Sequence, residues 1–411
     1  MRSTRLGPDF TRLWLAKAVS NVGDGMALAA GPLLLASLTD DPLLIGGAVF
    51  VQQLPWLLFS LVSGVFVDRL DRRKLVVVVD LARAAVVAAL ALAVATGHAS
   101  VAVVYACLFL LGTGETLADN ASGAMLPSLV GPAELPRANA RLMAVNLLGN
   151  QLSGPPLGGA LFVLAAALPF GLDAASFALS ALLVAAVRGV PARAPAPRRS
   201  VRSEIGDALR WLWRHRVLRV IALCLCLMNV ALTGVLAVLV LYARERLGLG
   251  EAGYGLLLSA SAVGGVVGTL IAARVIARFG PSVVLRAGLV VETSTHLSLA
   301  LARSPWVAGA TMGLFGVHAV VWNVVTHSVR QREVPDELRG RVGSAYFLLV
   351  IGGSAIGALL GGALAAWFGI TAPTWVAFTV MVVLTATAWR HFAAADQPTS
   401  DQPATGQPTS A

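Results

Sequence analysis

The chain has 411 residues, of which 57% are hydrophobic and 13% charged, with a mean hydropathy of +0.78. That balance excludes a water-soluble globular fold and places the chain in a bilayer. Its net charge of +10 would suit a nucleic-acid partner, but the basic residues fall between apolar runs, where they act as topology signals, so no nucleic acid is expected.

A bilayer core takes about 20 apolar residues per helix. Twelve runs meet that length, near 12–37, 43–67, 75–96, 101–125, 138–166, 168–188, 218–242, 252–276, 283–302, 305–328, 340–366 and 370–390. The first run lacks a signal-peptide cleavage pattern. Nearly all Lys and Arg lie at the N-terminus, in every second loop and at the C-terminal end, while the other side carries only Arg244, Arg246 and Arg303. By the positive-inside rule both termini are cytoplasmic, in a multi-pass protein of the cell (inner or plasma) membrane. Cys107, Cys224 and Cys226 sit inside the runs as buried thiols. They form no disulfide framework or metal spacing, and no metal or cofactor is expected.

The chain also repeats. A shift of 203 residues lays Gly154, Leu157, Gly158, Gly159, Ala160 and Leu161 on Gly357, Leu360, Gly361, Gly362, Ala363 and Leu364. The same shift lays Pro132, Glu134 and Leu135 on Pro335, Glu337 and Leu338, and Asn120 on Asn323. One register held this long marks a tandem duplication into two like-oriented halves. The division is a six-helix half over 1–188, a cytoplasmic linker over 189–217, a second six-helix half over 218–390 and a tail over 391–411.

Between the second and third runs, Gly64-Val-Phe-Val-Asp68-Arg69-Leu-Asp71-Arg72-Arg73-Lys74 packs six charges into a tight turn. A basic loop fixes orientation, but the aspartate points to a latch, with Asp68 at the N-terminal end of a second-half helix and held by Arg72. The loop resembles the major facilitator superfamily signature G-x-x-x-D-R-x-G-R-[KR]. Gly64, Asp68, Arg69, Arg72 and Arg73 match, and Asp71 replaces the second glycine. Its second-half counterpart, around Gly268 to Gly280, has decayed, so the latch is one-sided.

Asp80 and Arg83, three apart near the start of helix 3, read as a mutually neutralising structural pair. Glu115 and Asp119 lie one turn apart on helix 4, where Asp119 is expected to pair with loop arginines. Helix 5 carries Gly154-Pro155-Pro156-Leu157-Gly158-Gly159. Small residues let helices approach closely. The run Gly154, Pro155, Gly158, Gly159 also resembles the Gly-Pro-x-x-Gly-Gly motif of the superfamily's drug/proton antiporters, implying a kinked interface helix on which the halves rock. In the linker, Val201, Ile205, Ala208, Leu209 and Leu212 share a helical face, as in a short amphipathic helix on the inner leaflet. The tail from Asp396 is low-complexity and reads as disordered.

Ionisable residues inside a membrane are functional candidates. Asp24, Glu115, Asn229 and His318 fall near the middle of helices 1, 4, 7 and 10, and the 203-residue shift carries Glu115 onto His318. In the major facilitator fold those helices line the central cavity, so the resemblance implies that the four side chains face one another. Glu292 and His296 on helix 9 are one turn apart and read as neutralising each other.

The resemblance covers roughly 8–392. Ser20 to Asp24, the Asp68 to Arg73 loop and the Leu126 to Ala140 segment look like the macrolide-efflux and enterobactin-exporter branch. The implied fold is all-α, twelve transmembrane helices in two pseudo-repeated halves. The implied activity is proton-driven export of a hydrophobic or amphipathic small molecule by a monomer, a drug, an antibiotic such as a macrolide, or an endogenous metabolite. Helix 4 lacks the arginine that many drug/proton antiporters carry there, which leaves Glu115 and Asp24 to couple. A siderophore or lysophospholipid carrier is the alternative within transport. A membrane enzyme would need a nucleophile–base set, metal cluster or phosphate loop, and none is present. The absence of a Walker A sequence excludes a self-contained ATP-driven pump. A receptor would need a soluble output domain, and none is left over.

Overall fold

The computed structural model describes residues 6–188, 206, 210–335 and 338–392, and leaves out the side chains of 60–69, 216, 339 and 340. Most of the 189–217 linker with its amphipathic helix, and nearly all of the 391–411 tail, lie outside the described residues. Leu212, the last position of that expected helix, is described and fully buried.

Twelve helical rods follow one another among the described residues: α1 (Pro8–Leu38), α2 (Pro42–Arg69), α3 (Arg72–Ala95), α4 (Val101–Leu129), α5 (Leu135–Val145 continuing to Gly154–Leu164), α6 (Leu168–Ala185), α7 (Arg216–Leu236), α8 and α9 (together Glu251–Leu301), α10 (Pro305–Glu333), α11 (Arg339–Phe368) and α12 (Ala372–Ala388). Nine helical stretches are individually long and apolar enough to cross a bilayer. The other three passes are hidden by local geometry. A π-helical segment, Asn146–Ser153, splits α5, and α12 is only 17 residues long. In Glu251–Leu301 two passes run together, and Gly280 divides α8 (251–279) from α9 (281–301) with φ 77°. The following Pro281 bars the helical conformation from its predecessor, and glycine alone takes the positive φ without strain, so the chain reverses with no loop.

Local chemistry sets several helix starts. Asp71 caps α3 by accepting from Lys74 N at 3.1 Å, and Ser100 caps α4 by accepting from Val103 N at 3.3 Å. The residue that breaks the family signature, Asp71, is therefore the N-cap of α3, where its carboxylate accepts a hydrogen bond that a glycine has no side chain to accept. Helix 7, expected to run to 242, stops at Leu236 and resumes as a short turn ending in the π segment Tyr242–Arg246.

The rods alternate in direction. Arg12 at the start of α1 donates to Ala186 O beyond α6 (2.9 Å), and Tyr346 near the start of α11 donates to Leu218 O of α7 (2.6 Å). These contacts define a terminal face, where α1 begins and α12 ends, and an opposite face. Leu110, Leu270 and Leu314 stand outward on the rods, and Trp306, Trp367 and Phe368 are strongly exposed at helix ends on the opposite face. Leucines at mid-rod and aromatics at the ends are what lipid contact selects.

The halves meet along two seams, α2 with α11 and α5 with α8. The seams are equivalent by the internal repeat. A Cβ on Gly46 would lie 2.8 Å from Ala358 O, and one on Gly362 would lie 2.8 Å from Pro42 O. At the other seam a Cβ on Gly255 would strike Pro155 O, and one on Gly159 would strike Glu251 O. Pro155 and Gly159 are the repeat partners of Ala358 and Gly362, so one duplicated contact is used twice. Without a hydrophobic force between rods in lipid, such backbone approach supplies the packing.

Candidate functional site

Each half holds a polar cavity lined by the terminal-face portions of its helices. The first, about 260 Å³, is lined by Lys17 and Asp24 of α1, Asp80 and Arg83 of α3, and Glu115 and Asp119 of α4. Arg83 lies at its centre. Its Nη2 is 3.0 Å from Asp24 Oδ1, its Nη1 is 3.8 Å from Asp80 Oδ1, and its guanidinium stacks 3.9 Å over the Phe177 ring. Asp80 Oδ2 accepts from Ser180 Oγ at 2.7 Å. The Asp80–Arg83 pair expected from spacing is therefore the looser of two contacts, because the guanidinium reaches across to α1. Lys17 Nζ binds Asp119 Oδ1 at 2.7 Å, so the partner of Asp119 is a lysine on α1 instead of a loop arginine. Glu115 makes no hydrogen bond or ion pair among the described residues.

The second cavity, about 470 Å³, lies among α7, α9, α10 and α11 and is lined by Asn229, Glu292, His318, Trp322, His327 and Arg330, among others. Asn229 Nδ2 donates to Leu225 O at 2.8 Å and its Oδ1 accepts from Ser354 Oγ at 3.3 Å. His318 Nε2 is 3.1 Å from Glu292 Oε2, and His296 Nε2 is 3.6 Å from Glu292 Oε1. Glu292 and His296, read as a closed pair on helix 9, thus extend to His318. The four mid-depth residues divide by half: Asp24 and Glu115 line the first cavity, Asn229 and His318 the second.

The glycine–proline run of α5 serves two neighbours at once. Gly154 and Gly158 face α1, where a Cβ on Gly154 would lie 2.5 Å from Gly25 Cα, while Pro155 and Gly159 face α8. Proline has no N–H, so Pro155 and Pro156 free the carbonyls of Gln151 and Leu152 that a regular helix would bond. Ser259 Oγ of α8 donates to Leu152 O at 2.8 Å across the seam. The kink of α5 is thereby satisfied by the other half.

Of the loop between α2 and α3, the side chains of Gly64, Asp68 and Arg69 lie outside the described residues. Arg72 Nη1 donates to Ala124 O of α4 at 3.0 Å, and Arg73 Nη1 donates to Val187 O beyond α6 at 2.9 Å. Both contacts stay within the N-terminal half.

On the opposite face the halves are tied by a residue that sequence reasoning treated only as a topology marker. Arg244 Nη2 binds Asp40 Oδ1 at 2.7 Å, and its Nη1 donates to Ala36 O at the end of α1 at 3.1 Å. Arg83, expected from spacing to be closed off by Asp80, lies closer to Asp24 of α1. The available signal was an arginine inside an apolar run, which demands a buried partner.

Residues 7–406 match a family described as transmembrane secretion effector. Enterobactin exporters EntS of Citrobacter koseri and Salmonella typhimurium are each 27% identical over 365 residues, covering 87% of this chain and 86% of theirs. Among solved structures, the nucleoside transporter NupG aligns with a TM-score of 0.76 at 12% identity, over 94% of this chain and 99% of its own. A bacterial homolog of the human lysosomal transporter Spinster aligns with a TM-score of 0.76 at 12% identity, over 97% and 100%. With twelve rods in two repeated halves and a match over nearly its whole length, the chain belongs to the transmembrane secretion effector family of major facilitator superfamily transporters.

Proposed function

We propose that the protein is a secondary active exporter that drives a hydrophobic or amphipathic small molecule out of the cell by proton antiport, through alternating access. One observation carries the reading. Glu115 lines the first cavity with no hydrogen bond or ion pair among the described residues, beside three further carboxyl groups and two lining cations, Lys17 and Arg83, each already bound to another acid. An apolar interior penalises charge that is not paired. The surplus acid, Glu115 assisted by Asp24, is where a proton is held in exchange for substrate. Asn229 and His318 contribute polar contacts from the other half.

The basic terminal face lies in the cytoplasm. Both cavities are lined from that side and Arg244 ties the other, which is the arrangement of an exporter waiting for cytoplasmic substrate. Asp68 is the latch that closes the terminal face when the halves rock, and the glycine seams are the surfaces on which they do so. The protein acts as a monomer, without a cofactor, and performs no chemistry on its cargo. A siderophore is the favoured second reading, because relatives at 27% identity are enterobactin exporters; a lysophospholipid is the third.

Reconstituted into liposomes with an acidic lumen, the protein should accumulate at least one of a macrolide, a catecholate siderophore and a lysophospholipid. A protonophore should abolish the accumulation. Uptake that is indifferent to the gradient, or none for any amphipathic compound, would overturn the proposal.

A further inference from the structure

The C-terminal half contains a buried acid whose partners are all histidines. Glu292 is 1% exposed and lies between two imidazoles, His318 Nε2 at 3.1 Å and His296 Nε2 at 3.6 Å. Among the described residues neither ring nitrogen of His296, itself fully buried, makes a hydrogen bond. His318 and Glu292 both line the second cavity, His318 being the more exposed at 8%, with Phe315 and Trp322 against its ring at centroid distances of 6.2 and 5.8 Å.

The contrast with the first cavity is chemical. There Arg83 and Lys17 carry fixed positive charge to their acids. Glu292 has no arginine or lysine within ion-pair distance among the described residues. Of the surrounding elements, α12 has no charged residue at all, and α7 presents Asn229 and the buried Cys224 thiol. From α11 comes Tyr346, over whose ring Arg330 of α10 stacks at 5.0 Å, and α10 adds His327 at the cavity wall. Charged residues of α8 (Glu251, Arg274, Arg278) sit at its two ends, and Arg286 of α9 is engaged with Trp389 O at 3.0 Å. Among the described residues no fixed cation therefore neutralises Glu292; a proton held within the cluster must do so, and an imidazole is a cation only while it holds one.

We propose that His318, Glu292 and His296 form a second proton-binding site, carried by the C-terminal half and loaded from the cavity through His318. Loading transfers one proton from cavity water to the His318 ring, giving an imidazolium–carboxylate pair of zero net charge. Release returns that proton to water and leaves one negative charge shared in the cluster. Unpaired charge in an apolar interior is costly, so the state of the cluster and the hydration of the cavity change together. The role of this proton in driving transport rests on the export reading; its binding does not.

Trp322 supplies the assay, because a protonated imidazole quenches an adjacent indole. The difference in tryptophan fluorescence between the wild type and Trp322→Phe, in detergent and without substrate, isolates that indole from the other eight. Titrated from about pH 5 to about pH 8, the range in which histidine changes charge, the difference signal should show one reversible single-proton step. The step should vanish in His318→Gln and shift by about one pH unit or more in Glu292→Gln, the scale of a lost opposite charge. His318→Asn serves if the glutamine variant does not fold. A flat signal in the wild type, or a step that survives replacement of His318, would overturn the proposal. Failure of transport with an intact step would reject the export reading alone.

Discussion

Arg244→Gln should loosen the opposite face without altering either cavity. The arginine makes two links between the halves, to the Asp40 carboxylate at 2.7 Å and the Ala36 carbonyl at 3.1 Å. The Asp40 side chain is 87% exposed, so that ion pair contributes about 0.2–1 kcal/mol. A hydrogen bond to the carbonyl adds about 1 kcal/mol. Both links must break for the halves to part there, so their whole value biases the equilibrium, as only differential contacts can. The sum, about 1–2 kcal/mol, corresponds to a roughly 5- to 30-fold change in the ratio of the two conformations. Cysteines at Leu38 and Arg303, spin-labelled in a background lacking the native three, report the separation across that face. The long-distance population should rise by this factor in Arg244→Gln and by less in Asp40→Asn, which keeps the Ala36 link. High salt should reproduce part of the effect in the wild type, since exposed charges are screened. A distance distribution unchanged in Arg244→Gln would refute the reasoning and reduce Arg244 to a passive surface pair.

The seams give a second test: Gly255→Val places side-chain atoms against the Pro155 carbonyl and should cost about 1–3 kcal/mol, lowering the thermal midpoint. Gly31→Ala, inside α1 with open space around it, should leave the midpoint unchanged or raise it slightly. Replacing Asp68 with Asn should preserve membrane insertion and substrate binding while slowing transport, and transport rates equal to wild type would return the loop to a topology signal. Single cysteines at Ser200 and Gly250 should label on opposite sides of intact cells with an impermeant reagent; labelling of both from outside would reject two like-oriented halves with cytoplasmic ends.

The architecture was legible because two strong signals agree. Apolar length marks a pass, and the 203-residue register orders the passes into halves. The repeat singled out the α5 and α11 sides of the seams, Gly159 and Gly362, although not their partners on α8 and α2 or which face of α5 each glycine serves. What escaped was rotational: the sequence places Asp24 and Arg83 at suitable depths, but only the setting of α1 against α3 brings them to 3.0 Å. Glu292 and His296 looked complete as neighbours on one helix, and nothing in their spacing shows that His318 of the next helix points back at them. The reversal at Gly280-Pro281 was readable from the dipeptide, yet its fusion of α8 and α9 into one continuous helical stretch depends on how the two rods stack.

The central claim is that a carboxylic acid in the first cavity exchanges protons for substrate, and Glu115→Gln tests it most directly. The amide keeps the shape and hydrogen-bonding capacity of the protonated acid but cannot release a proton. Wild type and variant are compared in liposomes for two activities, accumulation driven by an acidic lumen and exchange of labelled for unlabelled substrate at equal pH. The account predicts that exchange persists while accumulation against a gradient is lost. Uphill accumulation by Glu115→Gln with the pH dependence of the wild type would contradict it.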